Sequence, residues 1–129
     1  MQVNELMTGP AGTCELGATV AEVAQRMSEG DIGSLAIAKD GALLGIVTER
    51  DVVKAVALGL NPATTSVEEV MTPNPDSLEP DVAVEDAANW MLAAGYRHLP
   101  VVEGDRIMGM ISMKDLMWAL TDRGPQEEK

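Results

Sequence analysis

The feature that most constrains this chain is a single internal repeat. When the 129-residue sequence is shifted by 64 residues without a gap, the stretch 3–56 falls on the stretch 67–120. A long period that occurs only twice argues against an open solenoid, which needs three or more stacked units. It predicts two halves of one local fold that pack about a pseudo-twofold axis. Identical residues recur at the one offset, among them Met7 and Met71, Leu35 and Leu99, Gly45 and Gly109, and Asp51 and Asp115.

Each half has the pattern strand, helix, strand, strand, helix. In the first half, Thr19 begins a capping-box sequence, and apolar residues follow at helical spacing as far as Gly30. Two apolar strands then flank Asp40–Gly41, a dipeptide typical of tight turns. Thr48 begins a second capping box, and the helix after it stops at Gly59. The order recurs in the second half, so we expect an α/β (α+β) fold.

The repeat and its connector divide the chain into four expected segments. These are a first repeat at 1–60, a turn-rich linker at 61–65, a second repeat at 66–122 and a disordered tail at 123–129. Ser66 follows the linker and is expected to cap a short helix that enters the second repeat.

Composition restricts the functional class. Nine Lys and Arg against 21 Asp and Glu give a net charge of −12, which repels nucleic acid over most of the surface. We find no apolar run long enough for a membrane span and no secretory signal pattern, and the single Cys14 has no internal disulfide partner. We therefore expect a cytoplasmic protein with a packed core.

Two motifs carry a family resemblance. The segments GIVTERD (Gly45–Asp51) and GMISMKD (Gly109–Asp115) share a Gly, a β-strand, a Thr or Ser, two variable residues and an Asp. With GYRHLPVV (Gly95–Val102), they resemble the CBS domain family in the form of a tandem pair, or Bateman module. The resemblance covers nearly the whole chain. It implies two clefts between the repeats that bind AMP, ADP, ATP, S-adenosylmethionine or related adenosine ligands.

The resemblance also implies roles for particular residues. Asp51 and Asp115 would accept hydrogen bonds from ribose hydroxyls, while Thr48 and Ser112 would hold phosphate oxygens. Independently of the family, a hydroxyl at a helix start lies beside unpaired N–H groups that favour anions. The other candidate ligand contacts are basic side chains near these turns and the loop that opens the second half: Arg50, Lys114, Arg97, His98, Thr72, Pro73 and Asn74.

Simpler interpretations stay open beside these roles. The two hydroxyl–aspartate pairs also fit helix caps without a ligand, His98 fits a hydrogen-bonded core residue, and Arg97 fits a solvated charge. The halves differ, since Gly33–Ser34 stands where the second half has Arg97–His98, and Gly9–Ala11 where it has Pro73–Pro75. We therefore expect two unequal clefts, of which one binds nucleotide better.

The favoured function is a regulatory sensor of an adenosine nucleotide, with no required cofactor and no metal. The alternative is a scaffold or regulatory subunit that docks a regulated protein without a nucleotide. An enzyme is disfavoured, because the chain has one His, no phosphate-binding GxxxxGK[ST] loop, no HExxH and no cysteine in a catalytic context. A homodimer is expected through apolar helix positions, namely Val52, Val53, Val56, Met117 and Trp118.

Overall fold

The computed structural model of the chain describes residues 1–7 and 13–121. These residues fall into two compact units: unit A contains residues 13–75, and unit B contains residues 1–7 together with 76–121. Each unit thus combines the body of one repeat with the short segment that opens the other repeat. The compact units are therefore offset from the expected repeat boundaries. The expected tail at 123–129 and the loop Gly9–Ala11 lie outside the described residues.

Unit A has the predicted order of strands and helices. Strand β1 pairs in parallel with β2, β2 pairs antiparallel with β3, and β4 adds to the other side of β3. The turn between β2 and β3 has positive φ at both Asp40 (53°) and Gly41 (83°), as a type I′ turn requires. The elements are β1 (Thr13–Cys14), α1 (Val20–Gly30), β2 (Ser34–Lys39), β3 (Ala42–Thr48), α2 (Glu49–Ala57), a 3-10 turn (Val67–Glu69) and β4 (Thr72–Pro73).

Unit B repeats this order with a shorter first strand. The first strand of the repeated order is reduced to one parallel bridge, in which Leu78 N donates to Pro100 O at 2.9 Å and Val102 N donates to Leu78 O at 2.8 Å. Strands β5 and β6 pair antiparallel. The elements are a 3-10 turn (Val3–Glu5), α3 (Val84–Ala94), β5 (His98–Glu103), β6 (Arg106–Ser112) and α4 (Met113–Leu120).

Each unit has its own apolar core, built from one helix face and the alternate residues of its strands. Val67 belongs to the core of unit A and Val3 to the core of unit B, and both side chains are fully buried. These two valines fix the exchanged opening segments to their units, because burying such a side chain contributes about 1.5–3 kcal/mol. Among the described residues, no helix has the length and apolarity that crossing a membrane requires.

The methionines at matched repeat positions lie in or against the two apolar cores. Met27 and Met91 are buried, while Met7 and Met71 are half-buried and pack against the cores of units B and A. Unbranched thioether side chains suit this role because they adapt to irregular gaps.

Gly45 allows β4 to approach β3 closely. It is the register partner of Pro73, and the neighbouring Ile46 is the partner of Thr72. A Cβ atom at Gly45 would lie 2.6 Å from the Sδ atom of Met71 and 2.9 Å from the carbonyl oxygen of Thr72. The backbone contact leaves no flexible group to move aside, so a glycine is needed where the opening segment of the second repeat meets unit A.

We expect Gly45→Ala to lower the free energy of unfolding by about 1–3 kcal/mol, because the added methyl group overpacks this contact. Urea denaturation followed by circular dichroism measures the change. Gly17→Ala is the matched control, since a Cβ there meets nothing within 4 Å, and it should change stability by less than about 0.5 kcal/mol. Equal unfolding midpoints for the two variants would contradict this packing account.

Candidate functional site

The end of β3 and the start of α2 form a capping box in unit A. Thr48 is the N-cap residue, and its Oγ1 accepts a hydrogen bond from Asp51 N at 3.3 Å. In return, Asp51 Oδ2 accepts from Thr48 N at 2.9 Å and from Thr48 Oγ1 at 3.1 Å. Both side chains are half-buried. Thr48 and Asp51 therefore do cap α2, as the interpretation without a ligand predicts.

Unit B builds the same turn between β6 and α4. Ser112 Oγ accepts from Asp115 N at 3.1 Å, and Asp115 Oδ2 accepts from Ser112 N at 3.2 Å and from Ser112 Oγ at 2.8 Å. These side chains are also half-buried. The two halves thus share the hydrogen-bond pattern of this turn as well as its sequence.

Capping leaves acceptor capacity on both aspartates. Within the described part of the chain, the hydrogen bonds to Asp51 and Asp115 all go to Oδ2. An ionised carboxylate offers about four acceptor positions over its two oxygens. Each Oδ1 atom is therefore available to further donors, and the two vicinal hydroxyls of a ribose are donors of this kind. Helix capping and ligand binding are compatible at the same residue.

In unit B, strand register brings the basic residues of β5 next to this turn. His98 is the register partner of Ser112, and Arg97 O accepts from Met113 N at 2.8 Å. His98 is half-buried, while Arg97 and Lys114, in the first turn of α4, are exposed. The predicted set of unit B is thus brought together around the start of one helix.

Unit A has the same backbone arrangement without the same charges. Ser34 is the register partner of Thr48, and Gly33 O accepts from Glu49 N at 3.0 Å. Ser34 is buried, and Arg50 in the first turn of α2 is exposed. The two halves therefore carry different side chains at matching positions of one backbone geometry.

The loop that opens the second repeat lies along β3, the strand that leads to the turn of unit A. Thr72 and Pro73 form β4 on the edge of β3, and Asn74 N donates to Leu44 O at 3.0 Å. Asn74 has a left-handed backbone, with φ at 46°. All three residues are exposed. They accompany Thr48 and Asp51 in unit A, whereas the corresponding loop of unit B, residues 8–11, lies outside the described residues.

One polar contact near the basic residues was missed by the sequence patterns. The Tyr96 hydroxyl donates a hydrogen bond to the carboxylate of Asp76, and this bond raises the pKa of Tyr96 above its ordinary value. Trp90 packs edge-on against Tyr96, with ring centroids 5.8 Å apart and an interplanar angle of 72°. Tyr96 directly precedes Arg97, so these contacts hold the loop that leads into β5.

Cys14 is a buried core residue of unit A. Burial raises the pKa of its thiol, against an opposing effect of Arg26, whose Nη1 atom donates to Thr13 O at 2.6 Å. A buried, protonated thiol is a poor nucleophile. Within residues 1–7 and 13–121, no three His, Cys, Asp or Glu side chains are grouped so that they could hold a metal ion.

The apolar side chains predicted to form a homodimer face are mostly exposed on their own helices, with one correction. Val53, Val56, Met117 and Trp118 expose 65%, 59%, 48% and 38% of their surface. Val52 is half-buried and packs against the core of unit A, so it does not belong to this face. The reason is helical phase: Val52 lies one position before Val53, and adjacent residues of a helix point in different directions.

Known proteins of similar sequence and structure identify the family. The CBS domain model matches residues 3–58 and 67–122. A 17.7 kDa protein of Acidianus ambivalens is 34% identical over 123 residues, which cover 94% of this chain and 74% of that protein. A solved CBS domain pair in complex with 5′-methylthioadenosine and S-adenosyl-L-methionine has a TM-score of 0.85 at 26% identity, covering 94% and 96% of the two chains. A CBS-domain containing protein from Agrobacterium tumefaciens has a TM-score of 0.84 at 31% identity, covering 93% and 99%.

The same module also occurs within longer proteins. A homoserine O-acetyltransferase of Methanohalobium evestigatum is 33% identical over 116 residues, but the match covers only 23% of that protein. CBS-domain proteins are generally regulatory or signal-transduction proteins. The chain belongs to the CBS domain family and carries one CBS domain in each half of its sequence.

Proposed function

We propose that this chain is a regulatory module that binds an adenosine-containing ligand, such as AMP, ADP, ATP or S-adenosylmethionine, at the turns that begin α2 and α4. The observation that carries this proposal is the duplicated turn. A helix cap can be built from many residue types, yet both halves use a hydroxyl and an aspartate with the same hydrogen bonds. A duplicated function explains this repetition better than capping alone.

The ribose diol is the part of the ligand that suits the aspartates. Asp51 and Asp115 are half-buried and keep Oδ1 available, so each can accept hydrogen bonds from two vicinal hydroxyl groups. The solved CBS pair that resembles this chain is bound to 5′-methylthioadenosine and S-adenosyl-L-methionine, two compounds that contain adenosine. A shared ribose contact accounts for a preference for adenosine ligands as a class.

The remaining candidate residues are assigned to the 5′ side of the ligand. Thr48 and Ser112 lie at helix starts, where their hydroxyls and the first N–H groups favour phosphate oxygens. Thr72, Pro73 and Asn74 lie along the edge of β3, the strand that leads to the turn of unit A, and are proposed as further ligand contacts. The basic side chains that supply positive charge near the two turns are Arg50, Lys114, Arg97 and His98.

Regulation would follow from a difference in affinity between two conformations of the chain or of its assembly. A ligand can shift such an equilibrium only as far as its binding free energies to the two states differ. The readout would then pass to a regulated protein partner. No cofactor is required for this function, because the ligand itself is the signal.

We expect AMP, ATP or S-adenosylmethionine to raise the melting temperature of nucleotide-stripped protein. A ligand at about 100 times its Kd stabilises the folded state by about 2.7 kcal/mol. Asp51→Asn, Asp115→Asn or both should weaken binding by about tenfold, because a charge-assisted hydrogen bond is lost. Differential scanning fluorimetry and isothermal titration calorimetry measure the two effects.

Glu69→Gln is the control for the loss of a cap. Glu69 forms a third capping box, in which Ser66 N donates to Glu69 Oε2 at 3.2 Å and Glu68 N donates to Ser66 Oγ at 3.2 Å. This variant should leave ligand affinity unchanged. If none of the ligands binds the wild-type chain, the proposal is wrong, and the alternative of a protein-docking scaffold without a nucleotide takes its place.

Self-association is the second part of the proposal. Val53 and Val56 on α2, and Met117 and Trp118 on α4, are exposed apolar side chains that each unit offers for a homodimer contact. A net charge of −12 on each chain opposes this contact. Salt screens the repulsion, so dimerisation should strengthen as ionic strength rises.

We expect sedimentation equilibrium to find a dimer that Val53→Glu with Met117→Glu converts to a monomer, since two carboxylates would then be buried in the contact. Leu92→Glu is the comparison variant: Leu92 exposes 65% of its surface on α3, a helix that contributes no side chain to the proposed contact. A monomeric wild-type protein, or equal dissociation by the control variant, would contradict the proposed face.

A further inference from the structure

The two hydroxyl–aspartate turns share a backbone geometry but differ in charge. The matched positions around each turn are the residue before the first hairpin strand, the first residue of that strand, and the first three residues of the helix. In unit A these positions hold one cation and two carboxylates, and in unit B they hold two cations, a histidine and one carboxylate. The unit A residues are Gly33, Ser34, Glu49, Arg50 and Asp51; the unit B residues are Arg97, His98, Met113, Lys114 and Asp115.

The matched geometry makes this a controlled comparison within one chain. His98 pairs with Ser112 as Ser34 pairs with Thr48. In both units, the first N–H of the helix also donates to the carbonyl oxygen of the residue before the hairpin strand. The distance is 2.8 Å from Met113 N to Arg97 O and 3.0 Å from Glu49 N to Gly33 O. A ligand held by the same aspartate contact would therefore meet different charges in the two units.

We infer that the unit B turn selects an adenosine ligand with a 5′-phosphate. In unit A, we infer that Glu49 offsets the attraction of the helix start for phosphate, so that this turn selects an adenosine ligand whose 5′ group carries no negative charge. This inference rests on the proposed function and assigns a ligand class to each turn. The inference is based on one difference between the halves: Arg97 and His98 stand in unit B where unit A has Gly33 and Ser34, while the hydrogen bonds of the turn are the same.

The two turns differ in the charges that they offer to the 5′ group of the ligand. The guanidinium of Arg97 presents a planar fork of donors that matches phosphate oxygens, and Lys114 in the first turn of α4 adds a second cation. In unit A, the exposed carboxylate of Glu49 takes the first position of α2. A phosphate there would meet this negative charge with Arg50 alone to offset it. A neutral or cationic 5′ group meets no such repulsion.

Adenosine and AMP test the inference, because they differ by one phosphate. Calorimetric titration of the wild-type chain should give a site that prefers AMP and a site that does not. Arg97→Ala should weaken AMP binding by about tenfold, since a charge-assisted phosphate contact is lost, while adenosine affinity changes by less than about twofold. His98→Gln should lower the affinity for AMP relative to adenosine in the same direction.

Arg106→Ala is the control for the loss of one positive charge. Arg106 is an exposed cation in the same unit, but it lies at the opposite end of β6 from Ser112. Six residues of extended strand separate the two by about 20 Å. This variant should leave the ratio of AMP to adenosine affinity unchanged.

The Asp51→Asn variant tests the unit A turn, and it should weaken adenosine binding more than AMP binding.

The outcomes separate this inference from the proposed function. If none of adenosine, AMP, ADP, ATP and S-adenosylmethionine binds the wild-type chain, both fail. If the ligands bind but Arg97→Ala leaves the affinity ratio unchanged, or Arg106→Ala changes it equally, the inference alone is overturned. It is also overturned if Asp51→Asn weakens AMP and adenosine by the same factor.

Discussion

The structure depends on a short hydrogen-bonded corner that occurs twice. At each corner, the hydroxyl of Thr48 or Ser112 accepts a hydrogen bond from the backbone N–H of the aspartate three residues later. The carboxylate of that aspartate accepts hydrogen bonds from the backbone N–H and the hydroxyl of the same Thr or Ser. These bonds satisfy orphan N–H groups at the helix start and fix the direction in which the helix leaves the sheet. They also fix the carboxylate that the proposed ligand would contact, so folding and binding use the same side chain.

A second constraint is the exchange of opening segments between the repeats. Val3 is buried in the unit that holds the second repeat, and Val67 is buried in the unit that holds the first. Gly45 allows the opening segment of the second repeat to lie against β3, because any side chain there would meet the backbone at Thr72. As a result of the exchange, residues 72–74, which belong to the second repeat by sequence, lie along the edge of β3 in unit A.

Local features of the fold were predictable from the sequence, whereas features that depend on packing were not. The bounds of α1 and α3, the Asp40–Gly41 turn and the two caps depend on residues close in sequence, so periodicity and turn chemistry indicate them directly. The segment exchange is different, because a repeat offset matches residues by similarity and carries no information about which core they enter. Helical phase likewise placed Val52 in a core.

For the candidate site, the sequence indicated which residue types are present but not which of them lie next to each other in the fold. Register explains why Arg97 and His98 lie at the start of α4, and this depends on the hairpin between β5 and β6. The hydrogen bond from Tyr96 to Asp76 joins residues 20 positions apart and leaves no periodic signal. The charge difference between the halves was visible in the sequence, but its meaning depends on the shared backbone geometry around both turns.

The most direct test of the central claim is a nuclear magnetic resonance titration of the nitrogen-15-labelled chain with AMP. The amide groups of Asp51 and Asp115 donate to the capping hydroxyls, so they report on the two turns. The Glu68 amide donates to Ser66 in the third cap and serves as an internal reference. The account predicts saturable shifts of the Asp115 amide, with smaller changes at Asp51 and none at Glu68. Unchanged amide signals at both aspartates under saturating AMP would contradict it.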